Sequence, residues 1–210
     1  MPPSILGPAY RVETARMVLR CWNPPDATRL KEAVDASLDH LLPWMPWAKH
    51  EPTDLQTKID LIRKWRGGFD LGEDFVYGVF DRAERRVLGG TGLHTRLGSR
   101  VREIGYWIRV DAIGQGLATE LSAALTRVAF EIDNVQRVEI HCDARNVRSA
   151  AVPEKLGYTL DATLRQRTLD VDGNPRDTMI WSLLALEYPS SPASAAAIKA
   201  YDAAGRPLLS

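Results

Sequence analysis

Apolar residues recur along this chain with two periods, and the change from one to the other marks its elements. Residues 17–22 (MVLRCW) are dense in apolar and β-branched side chains and read as a strand. The Asn-Pro-Pro-Asp that follows stops it, and a helix is predicted from about Asp26, because Leu30, Val34 and Leu38 fall four apart. Residues 41–52 contain two Pro-Trp pairs, Pro43-Trp44 and Pro46-Trp47, which rule out a regular helix and predict an ordered apolar loop. Thr53 and Gln56 have the spacing of a capping box, so a second helix is expected from there to about Gly67.

Three strand patterns come next, at 75–81, 86–95 and 101–110, separated by short polar turns as in an antiparallel meander. A long helix is predicted over 116–132, with Leu117, Leu121, Leu125, Val128 and Ile132 in one stripe. Residues 137–143 read as a strand. Residues 146–157 read as a short helix that contains Pro153 and ends at Gly157. Two last strands flank 170–176, where Asp172-Gly173 predicts a hairpin turn. From Pro189 onward Ser, Ala, Pro and Gly dominate. The pattern implies one α/β domain over 9–187 with a mixed sheet, and a tail over 188–210 that is flexible or weakly helical and outside the core.

Composition narrows the function. The 210 residues are 45% hydrophobic and 26% charged, as in a globular domain. Lys and Arg number 27 and so do Asp and Glu, so no net charge argues for nucleic acid or an anionic membrane as partner. The basic stretch 96–102 reads as a solvated loop. Cys21 and Cys142 lie in no CxxC motif, and the histidines at 40, 50, 94 and 141 are scattered, so no metal is implied. There is neither a signal-peptide pattern nor an 18-residue apolar run, and a cytoplasmic location is expected.

The chemistry-bearing stretch is IGQGLATE, 113–120, between a strand and a helix. A helix N-terminus offers unpaired N–H groups and partial positive charge, and glycines let a phosphate approach the backbone. The loop reads equally as a tight turn that needs glycine. No Gly-Lys-Ser/Thr follows, which excludes a Walker loop. The spacing Gly114-x-Gly116-x-Ala118, after antiparallel-looking strands, is a poor dinucleotide fingerprint.

The stretches EIGYWIRVDAIGQGLATE and RVEIHCDARNVRSAAVPEKLGY, with TARMVLR (14–20), PWMPW (43–47) and GGTGLH (89–94), resemble the GNAT superfamily of acyl-CoA-dependent N-acyltransferases, and most of all its RimJ/RimL branch. The resemblance covers about 10–187. It implies a single GNAT-type domain whose mixed central sheet is splayed between its middle strands and flanked by helices. It also implies acetyl transfer from acetyl-CoA to a primary amine by direct attack, with a peptide N-terminus or a small molecule as acceptor. A small-molecule or antibiotic acetyltransferase, a succinyltransferase reading its acyl chain with Arg96, Arg100 or Arg102, and a CoA-binding module without turnover stay open. A homodimer is an expectation from the resemblance alone. The family's loop often begins with Gln or Arg where this chain has Ile113.

The resemblance also assigns residues. Backbone contacts to the pantetheine fall at Trp107, Ile108 and Arg109, and pyrophosphate contacts at the N–H groups of Gly114, Gln115, Gly116, Leu117, Ala118 and Thr119. Asn146 bonds the pantetheine arm. Ser149 sits near the sulfur, as proton donor to the thiolate or merely as a helix cap. Glu103 is the candidate base or else a surface or structural carboxylate, while Thr168 stands where some relatives place a glutamate. Trp44, Met45 and Trp47 are expected to line the acceptor pocket. His94 is expected to face it or to pack, and His141 to be structural. Cys142 has no neighbour in sequence that would activate it.

Overall fold

The computed structural model describes residues 7–209. Ten strands form one sheet: β1 (Arg11–Glu13), β2 (Met17–Cys21), β3 (Phe75–Asp81), β4 (Val87–His94), β5 (Val101–Ile108), β6 (Arg137–Asp143), β7 (Thr159–Leu169), β8 (Pro175–Leu184), β9 (Lys199–Tyr201) and β10 (Pro207–Leu209). Their order is β10-β9-β1-β2-β3-β4-β5-β6-β8-β7. Every neighbouring pair is antiparallel except β5 with β6. That parallel pair needs a crossover, which α4 (Leu117–Glu131) supplies.

Helices cover both faces. On one, the stripe of α4 and Val152 of α5 (Val147–Lys155) pack on Ile104, Ile108, Val138 and Ile140. On the other, Leu30 and Val34 of α1 (Ala27–Asp35) and Ile62 of α3 (Leu55–Asp70) pack with Trp22 and Phe80. A strand points successive side chains to opposite faces. On β5, Ile104, Tyr106 and Ile108 therefore face α4, while Glu103 and Trp107 face the other side.

The predicted elements are present, with corrections. Asp54, not Thr53, caps α3, its Oδ1 accepting from Thr57 N at 2.7 Å. Thr53 instead donates its N–H and hydroxyl to Glu51. The helix continues through Gly67 and Gly68 to Asp70, since its packed face outweighs the low propensity of glycine. The first helix ends at Asp35, so Leu38 falls in a separate short helix, α2 (Leu38–Leu41), and the Pro-Trp loop that follows holds a 3-10 turn, Pro46–His50.

The tail, expected to lie outside the core, has two short helical turns, Tyr188–Ser190 and Pro192–Ala195, and packs on the domain. After two 3-10 turns it adds β9 and β10 to the edge at β1. Tyr188 stacks on Phe130 with ring centroids 4.7 Å apart, and Arg127 donates to Ala196 O at 2.9 Å. Ala193 and Ala200 are fully buried. Small side chains lose almost no rotamer entropy on packing, so a composition that resembles a linker can also dock flat against a helix. No described helix is long and apolar enough to cross a membrane.

Candidate active site

The site begins where β5 and β6 part. They pair only over Val101–Arg137, Arg102–Val138 and Glu103–Glu139. Beyond that, β5 pairs with β4 and β6 with β8. Antiparallel hydrogen bonds alternate along a strand, and Arg109 N already donates to Leu88 O at 2.8 Å. The alternation turns the N–H and C=O of Tyr106 and Ile108 toward the gap. Of the three residues expected there, Ile108 presents its backbone, Trp107 spends its own on β4, and Arg109 donates its N–H to β4 while its carbonyl accepts from Ala112 N at 2.9 Å. Sequence reasoning passed over Tyr106, although strand parity could have found it.

At the end of β5 the loop before α4 has both glycines in the left-handed region, with φ of 74° at Gly114 and 76° at Gly116. A Cβ at Gly114 would have nothing within 4 Å. Conformation rather than space demands that glycine, and the backbone is left bare for a ligand. Leu117 is buried, so it offers only its N–H; Ala118 and Thr119 complete the first turn. Arg16 holds the loop, donating to Gln115 O at 2.7 Å and pairing with Glu120. An exposed helix N-terminus beside a guanidinium, next to a gap of unpaired strand backbone, fits a long phosphate-bearing ligand such as CoA.

On the α4 side of the gap lies a hydroxyl pair. Asn146 caps α5, its Oδ1 accepting from Ser149 N at 3.1 Å. This leaves its amide N–H₂ free. Pro153 lies inside α5 and has no N–H, so the carbonyl of Ser149, four residues back, loses its helical donor. Tyr106 fills the vacancy, its hydroxyl donating to Ser149 O at 3.3 Å and lying 3.0 Å from Ser149 Oγ. Burial pushes the Tyr106 hydroxyl up to about 12, so it stays a proton donor at neutral pH. Burial also raises the Cys142 thiol, against a role as nucleophile.

On the opposite face lies a charged cluster. Glu103 is 6% exposed, and its Oε2 accepts from Arg96 Nε at 2.8 Å. Burial alone would raise its carboxyl, but the hydrogen bond from Arg96 and the charges of His141 and Arg96 outweigh that. The net direction is below the ordinary range. His94 does not pack blandly. Its Nδ1 meets Asp74 Oδ2 at 2.9 Å, and its ring lies over Gly92 and Gly105, with Nε2 3.2 Å from where a Cβ of Gly105 would be. His141 also stands here, its Nε2 2.6 Å from Glu139 Oε2.

The Pro-Trp loop closes the outer end. Trp47 meets Trp107 edge-on, with ring centroids 6.2 Å apart. Trp44 O accepts from Arg176 Nη1 at 3.1 Å, and Arg176 Nε in turn donates to Thr168 Oγ1 at 2.8 Å. Thr168 therefore positions an arginine. The loop thus spans from β5 to β8. Met45 stands between the two tryptophans and caps the 3-10 turn with its backbone. Beside Trp44, a hollow of about 240 Å³ is lined by Pro43, Arg145, Asp170 and Asp172. Arg96 and Arg102 are spent on Glu103 and Asp133, so neither is free for an acidic acyl chain. Among the described residues no group of His, Cys, Asp and Glu is placed to hold a metal ion.

A family model described as an acetyltransferase (GNAT) domain matches residues 16–159. YdaF of Bacillus subtilis strain 168, provisionally named a ribosomal N-acetyltransferase, is 30% identical over 174 residues, 82% of this chain and 93% of that protein. The [ribosomal protein uS5]-alanine N-acetyltransferase of Escherichia coli K12 is 25% identical over 186 residues, 86% of this chain and 94% of that one. Among solved structures, one described as a probable acetyltransferase superposes with a TM-score of 0.76 at 29% identity, covering 83% of this chain and 96% of the other. The ribosomal L7/L12 α-N-protein acetyltransferase RimL, solved with coenzyme A, shares the fold at a TM-score of 0.73 and 18% identity, covering 81% and 95%.

Proposed function

Because the chain belongs to the GNAT acetyltransferase family, which moves an acetyl group from acetyl-CoA to a primary amine, we propose that its acceptor is the α-amine at the N-terminus of a protein. The observation that carries this is the state of Glu103, buried, bonded to Arg96 and lowered in pKa. A lysine ε-amine, with a pKa of about 10.4, is neutral roughly once in 2,500 molecules at pH 7 and needs a strong base. An α-amine, near 7.7–8.0, is neutral about one time in ten and does not. A carboxylate already committed to an arginine suits the second. The names of the Escherichia coli and Bacillus subtilis relatives point the same way.

The acetyl thioester supplies the electrophilic carbonyl when acetyl-CoA is bound. The N–H groups from Gly114 to Thr119 hold its pyrophosphate, and the free amide of Asn146 holds its pantetheine arm. The N–H of Tyr106 or Ile108 receives the negative charge that develops on the carbonyl oxygen. Ser149 gives a proton to the leaving sulfur while Tyr106 stays protonated, and the proton lost by the acceptor nitrogen restores the Ser149 hydroxyl; a thiol with a pKa of about 8.5 needs no stronger acid. Trp44, Met45 and Trp47 hold the acceptor's first residue, and the hollow at Asp170 and Asp172 takes the chain beyond it.

The test is thiol release from acetyl-CoA against peptides with free N-termini, N-blocked peptides containing lysine, polyamines and aminoglycosides, with succinyl-CoA run in parallel. Turnover with the free N-termini and not with the blocked peptides is expected. Turnover confined to aminoglycosides or polyamines would overturn the peptide assignment.

A further inference from the structure

His141 and Glu139 are left over when every role above has been filled, yet they stand at the centre of the acceptor face. Glu139 is the last residue of β6 that pairs with β5, opposite Glu103. His141 is the next residue on the same face, at the mouth of the gap, with 16% of its side chain exposed. Glu139 is 5% exposed, and its Oε1 is paired with Arg137 Nη2 at 2.7 Å. Its other oxygen meets His141 Nε2 at 2.6 Å. An ionised carboxylate only accepts hydrogen bonds, so this contact places a proton on Nε2 and, in the neutral imidazole, leaves the lone pair on Nδ1. Nδ1 in turn lies 3.8 Å from Glu103 Oε1. That is too long for a direct hydrogen bond and a span that one ammonium nitrogen can bridge with two of its N–H groups.

We propose that His141, oriented by Glu139, is the group that takes the proton from the acceptor amine, and that Glu103 holds the ammonium beside it without itself being protonated. The proposal rests on the acetyl-transfer activity, not on the acceptor being a peptide. A neutral imidazole whose other nitrogen is tied to a carboxylate presents its free nitrogen as a proton acceptor. The charged groups around it are Glu139 and Arg137 on its own strand and Glu103 on β5, with Arg96 and His94 behind Glu103. From β8 its neighbour in register is the apolar Ile180. The two sides of the gap then divide the work: His141 faces the incoming amine, and Ser149 with Tyr106 faces the departing sulfur. One ammonium proton moves to Nδ1 and on to solvent. The amine lone pair forms the C–N bond, the C–S bond breaks, and the second proton lost by the nitrogen ends on the sulfur. Amine and thioester become amide and thiol.

The test uses whichever amine the wild type acetylates best, small amines included, so that the peptide assignment can fail on its own. In H141Q, kcat/KM at pH 7 should fall about tenfold or more for an amine that is neutral one time in ten, and further for a more basic one, while acetyl-CoA affinity by calorimetry stays within twofold. The variant's rate should rise with pH up to the pKa of the amine itself, whereas the wild type levels off at lower pH. Added imidazole should restore part of the activity of H141A. E139Q should lose activity with acetyl-CoA affinity intact. In ¹⁵N-resolved spectra of the free wild type, His141 should carry its proton on Nε2. H141Q activity within threefold of wild type, an H141A that imidazole does not rescue, or a proton on Nδ1 would each overturn the assignment.

Discussion

Pro153 shows how much one residue can do indirectly. It breaks one helical bond, but the carbonyl it deprives is the one that receives Tyr106, and the hydroxyl of Tyr106 thereby reaches Ser149. Two predictions follow at this scale. Ser149→Ala should lower kcat by roughly ten- to a hundredfold, the low end for a proton donor because the thiolate is a good leaving group. Acetyl-CoA should still bind, and a loss of binding equal to the loss of rate would contradict the donor role. Arg176→Ala should release Trp44 O and with it the far end of the Pro-Trp loop. The KM for acceptor should then rise while that for acetyl-CoA does not; steady-state kinetics with each substrate varied separately tells the two apart.

The loop before α4 is a device of conformation. Alanine at Gly114 meets no atom but must adopt a φ near 74°, which costs an L-residue about 1–2 kcal/mol. A relaxed loop would misplace the N–H groups, so Gly114→Ala should weaken CoA binding about tenfold or more and lower the melting temperature by a few degrees. The tail belongs to the same scale. Removing residues 197–210 deletes β9 and β10, uncovers the edge of β1 and takes away the buried Ile198 and Ala200. An exposed edge strand is a template for association, so the truncated protein should melt lower and aggregate. Light scattering during a thermal ramp reads both effects, and an unchanged melt would show the tail to be dispensable.

For the whole molecule, the pH dependence of stability follows from its buried carboxylates. Burial would raise Asp26, but hydrogen bonds from Arg20 and the Asn23 backbone bring it below the ordinary value, and Glu103 is lowered in the same way by Arg96. A carboxyl lowered in the folded state adds stability that is complete above its unfolded pKa, about 3.9–4.3, and lost as pH falls through the lower folded value. Asp133 goes the other way, raised by burial that Arg102 does not fully offset. The melting temperature should therefore be nearly level from about pH 5 to 7 and drop below about pH 4, with a shallower drop in Asp26→Asn. A steep decline already between pH 7 and 5 would mean that other groups govern it.

Local patterns carried much of this protein. The stripe from Leu117 to Ile132, the turn at Asp172-Gly173 and the glycine pair before α4 each act within a few residues, and their physics is complete there. The resemblance of those segments to the GNAT family named the chemistry as well. What the chain could not disclose locally were features made by residues far apart. The paired edge at β9 depends on β1, nearly two hundred residues away, and its linker-like composition has no period to read. The backbone bonds left open at Tyr106 and Ile108 exist only because β5 and β6 diverge after Glu103. The placement of His141 between Glu139 on its own strand and Glu103 on β5 likewise arises only where β5 and β6 meet. Tertiary structure decided that Glu103 and Glu139 are already bonded to an arginine and a histidine, because a charge takes its state from its neighbours in space and not from its neighbours in sequence.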